Sequence, residues 1–162
     1  MDLVFSASRI IDAEIIFSII NKTFRDQNDY NTNCNSLTYK NVDEVVNEIS
    51  NGNFVIVEYD DCPIGCVKHK IDTDHANQLK CCYLGPLAVI PEYQDAGVEN
   101  VILEFVINVA ITNRCTHIMV EILNSMLHLM DMFKNAGFRE TDIYPYPGAR
   151  DVYVISMCKL LM

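Results

Sequence analysis

Apolar residues recur along this chain in two alternating periods. Ile11, Ile15, Ile16, Ile19, Ile20 and Phe24 fall at helical spacing and predict an amphipathic helix over about residues 9–24. "VDEVVNEIS" (Val42–Ser50) repeats that spacing in a shorter helix, ended by Asn51-Gly52. Val98, Val101, Ile102, Phe105, Val106 and Val109 give a third helix to about Thr112. Met126, Leu127, Met130 and Phe133 give a fourth, with Gly137 as its C-cap. The runs between them are rich in β-branched and aromatic residues and read as strands: "LVFS" (Leu3–Ser6), "NFVIVEY" (Asn53–Tyr59), "IGCVKHKI" (Ile64–Ile71), "KCCYLGPLAVI" (Lys80–Ile90), "THIMVEI" (Thr116–Ile122), "FRE" and "VYVISMCKLL". Asp60-Asp61-Cys62-Pro63 turns the second strand back into a hairpin. Gly85-Pro86 interrupts the fourth; proline has no N–H for a ladder, so that strand should bulge or splay at its middle. Arg25–Asn41, rich in Asn, Asp, Ser and Thr, predicts a long polar loop of the kind that forms lids or substrate walls.

This mixture predicts an α/β (α+β) fold, and 162 residues suit one domain, 1–162, with a real core. No apolar run approaches the ~20 residues that span a bilayer, and Met1–Phe5 lacks a basic leader, so the expectation is a cytoplasmic protein without membrane association. The seven cysteines are scattered through apolar stretches, which suits reduced, buried thiols better than a disulfide framework. Cys62 and Cys66 flank "PIG" with His69 and His75 downstream, but this is not a CxxC and no second ligand pair follows; no metal site is expected. A net charge of −10 argues against a general nucleic-acid binder, which needs clustered Lys and Arg. It suits a cationic partner such as an amine or basic peptide, and equally serves solubility.

"PEYQDAGVEN" (residues 91–100) stops an apolar strand and opens a helix, which is where proteins commonly hold anions. "YLGPLAVIPEYQ" (Tyr83–Gln94), "QDAGVE" (Gln94–Glu99), and "LMDMFKNAGFRET" (Leu129–Thr141) followed by "YPYP" occur in that order. Together with the element order β, α, α, β, β, β, loop, α, β, α, β, β, they make the chain resemble the GNAT acetyltransferase superfamily over nearly its whole length. The resemblance implies a mixed, mostly antiparallel central sheet, splayed between its fourth and fifth strands and flanked by about four helices. It implies acetyl-CoA as a substrate, with pyrophosphate on the backbone N–H groups of Asp95, Ala96, Gly97, Val98 and Glu99 beside Gln94, and pantetheine along Leu87 and Val89. Asn124, at the start of the fourth helix, would bind the coenzyme or cap that helix. An amine of a small molecule or peptide would attack the thioester directly, with a base to take its proton and often an acid for the thiolate.

Several positions depart from the family's pattern. Glu99 stands where Gly or Ala is usual, Asp95 and Ala96 where Gly, Lys or Arg is frequent, and Cys81–Asn113 contains no Lys or Arg. At an effective dielectric near 20, one unfavourable charge pair ~5 Å apart costs about 3 kcal/mol. Phe133 replaces the frequent tyrosine acid, and Tyr83 stands where several members place a glutamate base. Glu121, sharing a strand face with His117 and Met119, is a replacement base; it is equally an ordinary strand-end carboxylate, and His69 or His75 is a further alternative. Two functions remain open: an acyl-CoA-dependent N-acetyltransferase, or a catalytically inactive GNAT-fold module that binds a protein or ligand.

Overall fold

A computed structural model describes residues 1–28 and 38–161, apart from the side chains of 25–28. Cys34 and most of the expected polar loop lie outside the described residues. The strands form one seven-stranded sheet in the order β1-β2-β3-β4-β5-β7-β6, from β1 (Val4–Ala7), β2 (Asn53–Tyr59), β3 (Cys62–Asp74), β4 (Leu79–Val89), β5 (His117–Leu123), β6 (Arg139–Pro145) and β7 (Tyr153–Leu160). The helices are α1 (Ala13–Asn28), α2 (Val42–Ser50), α3 (Val98–Thr112) and α4 (Leu127–Asn135). β4 runs parallel to β5, whereas β1–β2, β2–β3, β5–β7 and β6–β7 pair antiparallel. This is the mixed, mostly antiparallel sheet flanked by four helices that the resemblance implies. Among the described residues no helix is long and apolar enough to cross a membrane.

The chain divides into two compact units, Met1–His69 with Pro86–Leu103, and Lys70–Gly85 with Glu104–Met162. In the first, α1 begins after a single 3-10 turn at Ile10–Asp12, where the Asp12 carboxylate accepts the Arg9 N–H at 2.8 Å. Ile16, Ile19, Ile20 and Phe24 form its buried stripe. α2 is capped by Asn41, whose side chain accepts the Glu44 N–H at 3.0 Å. Asp60 and Asp61 both sit at positive φ (48° and 60°), which is what a two-residue hairpin turn between β2 and β3 requires. β3 and β4 approach closely: a Cβ on Gly65 would stand 2.8 Å from the Ala88 carbonyl oxygen. Val45, Phe54, Val57, Ile64, Val67 and Ile102 fill the core of this unit.

In the second unit the core is Ile118, Val120, Phe133, Phe138 and Met157. α4 ends where Gly137 takes φ +93°, and Lys159 Nζ donates to the freed Ala136 carbonyl at 2.7 Å. The six described cysteines are free; Cys62 is exposed and Cys66 fully buried, where loss of solvent pushes its thiol pKa up. Burial pushes the Cys82 thiol up to about 12.

Candidate active site

The expected coenzyme residues Leu87, Val89 and Gln94 to Glu99 lie in the first unit, and Asn124 in the second. One 3-10 turn, Pro91–Tyr93, leads from β4 into the loop, with the Tyr93 N–H donating to the Ile90 carbonyl at 3.0 Å. Tyr93 packs edge-on against Tyr59, with ring centroids 6.0 Å apart. Asp95 (φ 61°) and Gly97 (φ 82°) then take left-handed backbone, and α3 starts at Val98. A Cβ at Gly97 would meet nothing within 4 Å, so glycine is required there for its backbone conformation and not for space. Alternating handedness followed by a helix start forms a nest of backbone N–H groups. The N–H groups of Asp95, Ala96, Gly97, Val98 and Glu99 have no acceptor among the described residues. Val98 is buried and pins the start of α3, while Asp95, Ala96 and Gly97 are exposed.

Acidic side chains surround this nest. Asp95 is exposed, Glu99 half-buried, and neither they nor Glu92 enter an ion pair among the described residues. The backbone of the loop suits an anion and its side chains oppose one.

Leu87 and Val89 are buried on the last stretch of β4. The parallel ladder with β5 covers Cys81–Leu84 against His117–Val120 and is not recorded beyond Leu84. The strand itself runs unbroken through Gly85-Pro86 to Val89, so the proline ends the ladder and not the strand. The Val89 carbonyl accepts two side-chain donors, Gln94 Nε2 at 2.8 Å and Thr23 Oγ1 at 3.0 Å. His69, at the end of this unit, is buried and its Nδ1 has no hydrogen-bond partner among the described residues; loss of solvent lowers its pKa. His75 is exposed.

The second unit holds the candidates for chemistry. Tyr83 is 44% exposed on β4, and its phenol is held above the usual tyrosine value by the Cys81 thiol, partial burial and Asp72. That shift leaves still less phenolate at neutral pH. Glu121 is exposed on β5, and its carboxylate accepts the Tyr144 O–H at 2.8 Å. That hydrogen bond in turn raises the Tyr144 pKa. His117, on the same strand, has Nδ1 2.8 Å from Thr116 Oγ1. Phe133 is buried and packs edge-on against Phe138 at 5.1 Å between ring centroids. Asn124 does not cap α4, whose N-cap is Met126. Its side chain accepts the Tyr153 N–H at 3.1 Å and donates to the Asp151 carbonyl at 3.3 Å, fixing the start of β7.

Two residues in these arrangements carry no obvious sequence signal. Thr23 stands in a glycosylation-like Asn21-Lys22-Thr23 triplet, yet its place one helical step beyond Ile19 and Ile20 puts a hydroxyl beside the buried stripe. Tyr144 sits between the polar residues and prolines of "DIYPYP", which reads as turn and not as a partner for Glu121.

Comparison with known proteins agrees with this fold. The family model described as "Acetyltransferase (GNAT) family" matches residues 15–138. No curated protein matches the sequence. Among solved structures, one assigned as a phosphinothricin N-acetyltransferase superposes with a TM-score of 0.82 at 13% identity, covering 99% of each chain. The ribosomal-protein-S18-alanine N-acetyltransferase from Escherichia coli gives 0.77 at 15% identity, over 99% of this chain and 94% of that one. A GNAT family acetyltransferase from Elizabethkingia anophelis with acetyl-CoA bound gives 0.72 at 17% identity, over 98% of each chain. At such identities these neighbours speak for the fold alone. The family match over residues 15–138 makes the chain a member of the GNAT acetyltransferase family.

Proposed function

We propose that this protein is an acyl-CoA-dependent N-acetyltransferase that moves acetyl from acetyl-CoA to an amine of a small molecule or peptide by direct attack. The observation that carries this reading is the row of N–H groups from Asp95 to Glu99, without acceptors among the described residues, at the N-terminus of a 15-residue helix. Such a row suits the pyrophosphate of a coenzyme whatever the side chains are, because the donors belong to the backbone. Acetyl-CoA supplies the activated thioester. Backbone groups at Leu87 and the N–H of Val89 would orient the pantetheine arm; the Val89 carbonyl already has its donors. Glu121, whose carboxylate accepts the Tyr144 O–H, would take the ammonium proton of the acceptor. Phe133 has no hydroxyl to donate and Tyr83, kept as its phenol, is no base, so the thiolate would take its proton from solvent.

A second reading is a GNAT-fold protein that binds a protein or ligand without catalysis. It is favoured by Phe133, which puts a buried ring without a hydroxyl where a tyrosine acid is expected. It is also favoured by Asp95 and Glu99, which have no cation partner among the described residues.

Thermal unfolding with and without about 1 mM acetyl-CoA separates the two. A dissociation constant of about 10 μM would add about 2.7 kcal/mol to the folded state and raise the midpoint by several degrees. Release of free CoA thiol on adding a panel of primary amines and N-terminal peptides then reads the transfer itself. No midpoint shift would sink the enzyme reading; a shift without thiol release from any amine would favour the binding module.

A further inference from the structure

The Val89 carbonyl lies at the last position of β4, where the strand gives way to the loop. Gln94 and Thr23 both reach it, one from the loop and one from α1, 5 and 66 residues away in sequence. All three belong to the first unit. Both donor side chains are part-buried. A carboxamide N–H at 2.8 Å is a full hydrogen bond, and the Gln94 side chain has no other partner among the described residues. Thr23 is different. Its Oγ1 also stands 2.7 Å from the Ile19 carbonyl of its own helix, and a hydroxyl has one proton to give. The two acceptors therefore share it, and Gln94 is the constant donor to Val89 while Thr23 is the intermittent one.

We infer that Gln94 is a positioning residue for coenzyme binding. Its side chain ties the end of β4 to the loop one residue before Asp95, and so fixes where the unpaired N–H groups of 95–99 stand relative to the strand end. It acts on the anion through that geometry and makes no direct contact with it. Thr23 is its reserve: when the carboxamide is absent, the shared hydroxyl proton goes to Val89 and preserves part of the tie. This inference rests on acetyl-CoA being the ligand of the loop.

The test is a double-mutant cycle on the full chain with Gln94→Leu, Thr23→Val and both together. Leucine keeps much of the glutamine's size and removes its donor; valine keeps the shape of threonine and removes the hydroxyl. The readouts are acetyl-CoA dissociation constant by calorimetry, and KM and kcat for acetyl transfer. Gln94→Leu is expected to weaken acetyl-CoA about five- to tenfold, with kcat at saturating acetyl-CoA within about twofold of the parent. Thr23→Val alone should weaken it less than about twofold, because Gln94 still holds the carbonyl. In the Gln94→Leu background the same change should weaken it a further three- to fivefold or about that, since the reserve donor is then the only one. Purely multiplicative effects would overturn the inference, because a side chain that touches the coenzyme directly would show no coupling to Thr23. Unchanged affinity in Gln94→Leu would overturn it too. If the parent protein itself fails to bind acetyl-CoA, the proposed function falls and the inference with it; if the parent binds and Gln94→Leu binds as well, only the inference falls.

Discussion

The loop of the first unit and the β5 face of the second solve their tasks with different parts of the chain. From Asp95 to Glu99 the donors are backbone N–H groups, and the one residue whose identity the geometry demands is Gly97 at φ 82°. On β4, β5 and β6 the candidate groups are side chains: Tyr83, Glu121 and its donor Tyr144. A backbone site survives extensive substitution, because any residue supplies the same N–H. A side-chain site does not, since a carboxylate or phenol has no generic replacement. Acidic side chains around the loop leave its N–H nest in place, whereas the Phe133 ring has no hydroxyl to offer.

The largest expected effect lies on the side-chain half. If Glu121 is the base, Glu121→Gln should lower kcat by about a hundredfold or more, which is the ordinary contribution of a general base. Acetyl-CoA affinity should stay within about twofold, because the change is isosteric and the loop belongs to the other unit. Tyr144→Phe should cost only about three- to tenfold, as it removes one hydrogen bond that orients the carboxylate. Steady-state kinetics at saturating acetyl-CoA checks both. Equal losses in the two variants would mean that the phenol, and not the carboxylate, takes part directly.

On the backbone half a smaller pair of effects should run in opposite directions. Gly97→Val forces a β-branched residue into left-handed backbone, at a strain of about 1–3 kcal/mol. Acetyl-CoA should bind at least tenfold more weakly or about that, although a Cβ meets nothing there. Glu99→Gln keeps the backbone and removes a half-buried carboxylate, so affinity should rise about three- to tenfold, and more at low salt than at high. Calorimetric titration at two ionic strengths measures both. A gain in Gly97→Val would show that side chains and not N–H groups govern this loop, and no change in Glu99→Gln would show that its carboxylate does not oppose the anion.

Much of the fold was legible because its boundaries carry local signals. The helix at Val42–Ser50 sits between the Asn41 cap and Asn51-Gly52, and the strand Asn53–Tyr59 ends at the Asp60-Asp61 turn; both coincide with the expected bounds. α1 runs on to Asn28, past the expected end near Phe24, because Arg, Asp and Gln at 25–27 tolerate a helix and the polar composition alone marks no stop. At Gly85-Pro86 the expected splay was legible: the strand continues, and its parallel ladder with β5 ends at Leu84. The candidate site was legible as a loop sequence, not as a network. Gln94 and Thr23 meeting at Val89, and Tyr144 meeting Glu121, depend on strand register and helix docking across many residues, which no local pattern encodes. Asn124 shows the converse: its position suggested a coenzyme contact or a helix cap, it does not cap α4, and its side chain holds the start of β7.

The smallest effect concerns stability and tests how far the tolerance of the first unit extends. His69 is its one buried side chain with a polar atom lacking a partner among the described residues. Burial holds its folded pKa below the ordinary value of 6.5, so the ring is neutral when folded and takes up a proton more readily when unfolded. The unfolded chain therefore binds more protons between the folded value and 6.5, and stability rises with pH through that window. The contribution is full above pH 6.5 and is lost as pH falls towards the folded value. His69→Leu replaces the orphaned nitrogen with apolar volume and should add about 1 kcal/mol at neutral pH. It should also remove part of the acid sensitivity between about pH 7.5 and about pH 5.5, measured as urea midpoints for both proteins. Identical acid slopes would show that the His69 ring is not held neutral by the fold. A loss of stability in His69→Leu at neutral pH would show that the imidazole has a partner worth keeping, and that this unit, too, depends on a particular side chain.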